Sequence, residues 1–271
     1  MSKSSFLKKY PIVPFVILAY LATWIILPLA MTTGIPFEPL LIIGSWMPNI
    51  AAFIVLGLIL REQRGIRRLL AGWGRWNVGL GWYLAALSPF VVAFLAVGVY
   101  LILGGTTTTP EQPVTVPSIV GAFVIALITG ATGEELGWRG FLLPRLQARS
   151  TALLASLIVG VVWGLWHLPL WFISGQLWQT LPFWSFALGS IATSIIYTWI
   201  VNNTGGSMVM ASLIHLSTNL GMNIVFILGL TPPQEYIVIS SIMYTVYAIV
   251  VTLAAGPSKL SRRLASVRRP A

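Results

Sequence analysis

Eight apolar runs of helical length divide this chain, near 11–31, 40–60, 80–103, 117–138, 151–173, 183–201, 207–229 and 236–255. Each is bounded by Pro, Gly or charge, and each holds roughly the 20 residues that cross a bilayer as a helix. Soluble domains carry about a quarter of their residues as charges. Here 8% of 271 residues are charged and 57% are apolar, too few charges to cover a surface in water. In lipid the backbone must satisfy its own hydrogen bonds, which leaves α-helices for runs of this length. The expected fold is all-α: a single polytopic membrane domain over 1–271, of about eight transmembrane helices. The first run is too long for a signal-peptide core and has no small-residue cleavage site after it, so a retained helix is expected. The stretch after Gly256, a basic tail over 256–271, is expected to be loose.

Charge gives an orientation. All sixteen basic residues fall before the first run, between the second and third, between the fourth and fifth, or after the eighth. Eight crossings put those four segments on one face, and the positive-inside rule makes that face cytoplasmic, with both termini. The opposite loops carry Glu38, Glu111 and Glu235. The implied location is the plasma (cell inner) membrane, multi-pass. The net charge of +10 is thus accounted for by orientation and anionic lipid heads, without nucleic acid. Between Arg61 and Trp76, Leu69, Leu70, Trp73 and Trp76 lie among arginines, as in an interfacial segment.

The inventory of reactive groups is short. With no Cys there is no disulfide, thiolate nucleophile or cysteine-ligated metal. With no Asp there is no aspartic dyad and no Ser-His-Asp triad. Six glutamates and two histidines remain, and both histidines and two of the glutamates lie inside apolar runs. Ionisable groups in a span are costly, so they face the protein interior and mark function.

In the fourth run, Glu135 and Arg139 are four apart on one helical face and can form an ion pair, while Glu134 points about 100° away and lacks that partner. In the fifth, Trp163 stands one turn before His167, and Pro169 is expected to kink the helix and free a carbonyl near 165. Glu134 and His167 are almost equidistant from the turn near 150, so a tight helical hairpin sets them at one height. In the seventh, His215 shares a face with Asn219 and, beyond it, Asn223. Taken singly, these residues can be an interfacial anchor, a core histidine and interhelical glue. One shared polar cavity explains them together.

A glutamate beside a histidine can polarise a water, and a second histidine with an amide can stabilise a developing oxyanion. That set suffices to hydrolyse an amide. The same Glu134, His167 and His215 could hold zinc with an open water position, although HExxH is absent. No further ligand-type residue is at hand, which favours no cofactor and a glutamate-activated water. Ser207, eight residues from His215 and about 12 Å along the same helix, is too far to serve as a nucleophile.

Glu134-Glu135-x-x-x-Arg139, Trp163-x-x-x-His167 and His215-x-x-x-Asn219 resemble, in order, the three motifs of the CAAX protease and bacteriocin-processing family of intramembrane proteases, which includes the type II CAAX prenyl endopeptidases. The resemblance covers 117–225. It implies that Glu134 activates water with His167, that His215 and Asn219 stabilise the oxyanion, and that Glu135 with Arg139 forms a supporting ion pair. Trp163 departs from the family, which more often has Phe there. The family has been described both as metalloproteases and as metal-independent glutamate proteases. The resulting expectation is an endopeptidase acting on a membrane-associated or lipidated peptide or protein at the cytoplasmic leaflet. A proton-coupled transporter, which also needs buried Glu and His, and a catalytically silent membrane scaffold are the alternatives. No internal repeat favours the transporter, and a scaffold has no need of the Glu-His-His-Asn set.

Overall fold

The computed structural model describes residues 3–110 and 112–261. Glu111, assigned above to an outer loop, and the basic residues from Arg262 onward lie outside the described residues. The described residues form helices and connecting turns, with no strand. Seven helical segments are long and apolar enough to cross a membrane, and an eighth apolar helix is shorter. In chain order they are α1 (Ile12–Ile26), α2 (Phe37–Ile59), α3 (Leu80–Ile102), α4 (Val116–Gln147), α5 (Ala152–Phe172), α6 (Phe183–Asn203), α7 (Met208–Ile227) and α8 (Pro233–Ala255).

Most of the apolar runs and these helices coincide to within a few residues, but α4 runs on to Gln147 where an end near 138 was expected, and two further differences are informative. The first run was expected to continue to residue 31. Instead α1 stops after 15 residues, and a separate short helix, Leu29–Thr33, begins beyond Pro28. Proline supplies no N–H to continue the ladder, and its ring crowds the preceding turn. At the far end, the chain expected to hang loose after Gly256 is held as far as Leu260. The carbonyls of Ser258 and Pro257 accept from the N–H groups of Ala152 and Leu153, at 2.9 and 3.0 Å. The first turn of α5 has no intrahelical acceptors for those donors, and the returning chain provides them. Asn203 Nδ2 donates to the Leu260 carbonyl, and Leu260 is fully buried.

The middle of the bundle is α6, which packs along α5 and α8, while α7 lies against α3 and the first half of α4. Small residues permit the close approach. A Cβ on Gly160 of α5 would stand 2.6 Å from the Ile191 Cα of α6, and Ser194 donates to the Ser156 carbonyl at 2.9 Å. In lipid, where apolar surface gives helices little reason to associate, such small-residue contacts and interhelical hydrogen bonds hold them together. Large side chains such as Leu80, Leu84, Ile102 and Leu253 point outward, as a lipid-facing surface requires.

The least regular helix is α4. It runs α-helical to Ala126, widens into π turns over Leu127–Ala131 and again over Leu136–Leu142, and closes as an α-helix at Gln147. Widened turns release backbone groups that need partners inside the membrane. Neighbouring helices supply them. Trp46 Nε1 donates to the Ile128 carbonyl at 2.8 Å. Asn49 Nδ2 donates to the Thr132 carbonyl at 2.7 Å, and Asn49 Oδ1 accepts from Gly137 N–H at 2.9 Å. Ser212 of α7 donates to the Ala131 carbonyl. Gly137 is required here, since a Cβ would fall 2.6 Å from the Pro48 backbone. The irregular stretch is thus clamped between α2 and α7, and it carries both interior glutamates.

Candidate active site

Glu134 and Glu135 each reach one helical turn onward, along adjacent faces of α4. Glu135 Oε1 accepts from Arg139 Nη1 at 2.9 Å, the i,i+4 pair expected from spacing. Both side chains are buried, and the Arg139 guanidinium lies 4.5 Å from the Trp163 ring centre and 4.6 Å from that of Tyr197. Two aromatic faces and one carboxylate therefore replace water around this charge. Glu134, expected to be without a partner, is held instead by two indoles. Its Oε2 accepts from Trp163 Nε1 at 2.6 Å and from Trp138 Nε1 at 3.1 Å.

On α5, the α-helix ends at Trp166 and continues as a 3-10 turn over Leu168–Phe172, the disruption that Pro169 was expected to cause. His167 sits at that junction. Its Nδ1 lies 2.8 Å from the Trp163 carbonyl. A carbonyl only accepts, so Nδ1 carries the proton and Nε2 presents its lone pair. The backbone anchor comes from residue 163, one turn earlier, rather than from the region of 165. No hydrogen bond joins Glu134 directly to His167 among the described residues; Trp163 stands between them, bonded to the first and edge-on to the second at 5.8 Å.

On α7, His215 Nδ1 is 2.6 Å from Glu135 Oε1, a contact between residues 80 apart that spacing could not reveal. This bond turns Nε2 toward α4. There a Cβ added to Gly130 would overlap His215 Nε2 and lie 2.6 Å from Asn219 Nδ2. Two side-chain nitrogens thus converge on the space above a residue that has no side chain. Ser207, set aside above as a nucleophile, caps α7: its Oγ donates to the Arg75 carbonyl and accepts from Met210 N–H.

These groups open into one cavity of about 350 Å³, whose walls include Glu134, Trp163, His167, His215, Asn219 and Asn223. Polar groups from α4, α5 and α7 therefore share a space, as the clustering of costly residues implied. Elsewhere the wall is largely apolar, with Leu27, Leu41 and Leu170 at one side and Met222 and Phe226 at another. Such a chamber takes a ligand with apolar bulk and presents a few fixed polar atoms to it.

Among the described residues no three His or Glu side chains group closely enough to hold an ion. No step below is routed through a metal.

Asn49, Trp138, Ser212 and Tyr197 were not singled out from sequence. Asn49 carried the one available signal, a buried amide within an apolar run. The other three resemble ordinary helix residues until the fold brings them together.

The stretch that carries the cavity is similar to known proteins. Residues 116–221 match a family model described as Rce1-like, type II CAAX prenyl endopeptidase. Over 110 residues the chain is 34% identical to CAAX prenyl protease 2 of Methanococcus maripaludis, covering 37% of this chain and 40% of that protein. The chain thus matches well under half the length of this curated relative. All three motifs fall inside the matched segment, on the helices that build the cavity. Over this segment the chain is similar to the Rce1-like type II CAAX prenyl endopeptidases.

Proposed function

We propose that this protein is an intramembrane endopeptidase that hydrolyses a peptide bond of a membrane-associated or lipidated substrate near the cytoplasmic leaflet. The observation that carries the reading is the shared cavity: one carboxylate, two imidazoles and one amide line a common space within an apolar enclosure. Glu134 takes a proton from water as the oxygen attacks the substrate carbonyl, and His167 Nε2 accepts a hydrogen bond that orients that water. The carbonyl oxygen, gaining negative charge, moves toward Asn219 Nδ2 and His215 Nε2. Asn219 donates from its amide. His215 donates from Nε2, held in place by its Nδ1 contact with the Glu135 carboxylate. Collapse of the tetrahedral intermediate breaks the C–N bond, and the proton held by Glu134 goes to the leaving amine.

The relative named CAAX prenyl protease 2 suggests the probe: a farnesylated, fluorogenic peptide ending in a CaaX sequence, presented in liposomes that hold the purified protein. Glu134→Ala and His167→Ala are each expected to abolish cleavage while protein level and elution profile stay normal. Retained cleavage in either variant would remove this mechanism.

A further inference from the structure

We infer that Trp163 and Trp138 are positioning residues that together grip one oxygen of Glu134, so that the other oxygen alone is presented to the reacting water. This rests on the peptidase reading and adds to it how the base is aimed. Both indole N–H groups converge on Oε2, at 2.6 and 3.1 Å. A carboxylate oxygen has two in-plane lone pairs, and two N–H donors occupy them. Among the described residues Oε1 has no hydrogen-bond partner, and it is left to the cavity that Glu134 lines.

The donors are themselves held. Trp138 is fully buried, edge-on to Phe15 at 5.5 Å and to Trp166 at 5.7 Å. Trp163 has the Arg139 guanidinium over one part of its ring at 4.5 Å and His215 edge-on at 5.2 Å. The ion pair of Glu135 with Arg139 therefore reaches Glu134 through an indole: carboxylate fixes guanidinium, guanidinium seats the ring, and the ring N–H holds the catalytic carboxylate. This gives the second glutamate of the pair a task distinct from that of the first. An unanchored Glu134 would rotate about its terminal torsion, which is broad for a carboxylate, and would spend time with neither oxygen toward the water.

The test separates N–H from ring. Trp163→Phe keeps an aromatic face for Arg139 and removes the donor. Benzothienylalanine, inserted at 163 by genetic encoding, keeps the bicyclic shape and also removes the donor. On the farnesylated probe, each is expected to lower kcat about tenfold or more, as loss of a hydrogen bond to a charged group does, with KM within about twofold. Trp138→Phe, the longer bond, is expected to lose less. Because either donor alone still holds the oxygen, the double variant should lose more than the product of the two single losses. Wild-type kcat with benzothienylalanine, or an effect on KM alone, would overturn the inference. Glu134→Ala run in parallel tells the two failures apart. If it retains activity, the peptidase mechanism fails; if it is inactive while the indole variants have wild-type kcat, only the grip fails. An activity-free readout is the carboxylate stretch of Glu134, isolated as the infrared difference between wild type and Glu134→Gln with ¹³C-labelled glutamate. That band should shift in Trp163→Phe, and an unmoved band would also overturn the inference.

Discussion

The buried ion pair behind the cavity permits a quantitative test. Glu135 is 0%, Arg139 1% and His215 2% exposed, so none of them falls back on water when a partner is removed. Across the 2.9 Å contact of Arg139 and Glu135, unit charges at an effective dielectric of about 20 attract by roughly 6 kcal/mol. Much of this only offsets the desolvation of the two groups, so the measurable quantity is the penalty of stranding one. Replacing Glu135 by Leu leaves a buried guanidinium unpaired, and replacing Arg139 by Met leaves a carboxylate with His215 alone. Each is expected to cost about 3–5 kcal/mol, with Arg139→Met toward the upper end because it also gives up the faces of Trp163 and Tyr197. The double variant strands no charge and is expected to lose well short of the sum. Intrinsic fluorescence during heating in detergent, at one fixed scan rate, reads the order of midpoints. At about 2–4 °C per kcal/mol, each single should melt about 6–20 °C below wild type, and the double no lower than Arg139→Met. A double-variant shift equal to the sum of the single shifts would refute the coupling.

Other outcomes follow from the same geometry. Gly130→Ala places a methyl against His215 Nε2 and Asn219 Nδ2; kcat should fall about 10²-fold with elution profile and expression unchanged. His215→Ala and Asn219→Ala should each lower kcat by about 10²–10³-fold, with a much smaller change in KM, measured on the same probe. Incubation with EDTA or phenanthroline should leave the rate within about twofold, and added zinc should not raise it, because the mechanism draws on Glu134 rather than on an ion. Gly160→Ala sets a methyl 2.6 Å from the Ile191 Cα and should lower the melting midpoint by an amount equivalent to about 1–3 kcal/mol of overpacking.

How far this could be read beforehand depended on the range of the interaction involved. Helix placement was legible because lipid demands long apolar runs, and Pro, Gly and charge mark their ends. The Glu135–Arg139 pair was legible because four residues on a helix is a local distance. Membership of one cavity was legible because Glu134, His167, His215 and Asn219 are expensive in lipid and gain by sharing water. The wiring inside the cavity was not. Trp163 finds Glu134 across 29 residues and His215 finds Glu135 across 80, contacts set by how α4, α5 and α7 cross. The π turns of α4 escaped notice because a helix apolar on most sides gives no phase to its pattern. Asn49 is a polar residue in an apolar run, yet its partners are backbone groups freed only where those turns widen. The return of Pro257 and Ser258 to the start of α5 also depends on tertiary closure and carries no local signal.

The most direct test of the central claim is an experimental structure of the protein with a phosphinic analogue of the farnesylated CaaX peptide, in which a tetrahedral phosphorus replaces the scissile carbonyl. The account predicts one phosphinyl oxygen within hydrogen-bonding distance of both Asn219 Nδ2 and His215 Nε2, and the other joined through a shared proton to Glu134 Oε1, beside His167. A phosphinate bound away from these four side chains, with Glu134 turned from the peptide, would contradict it.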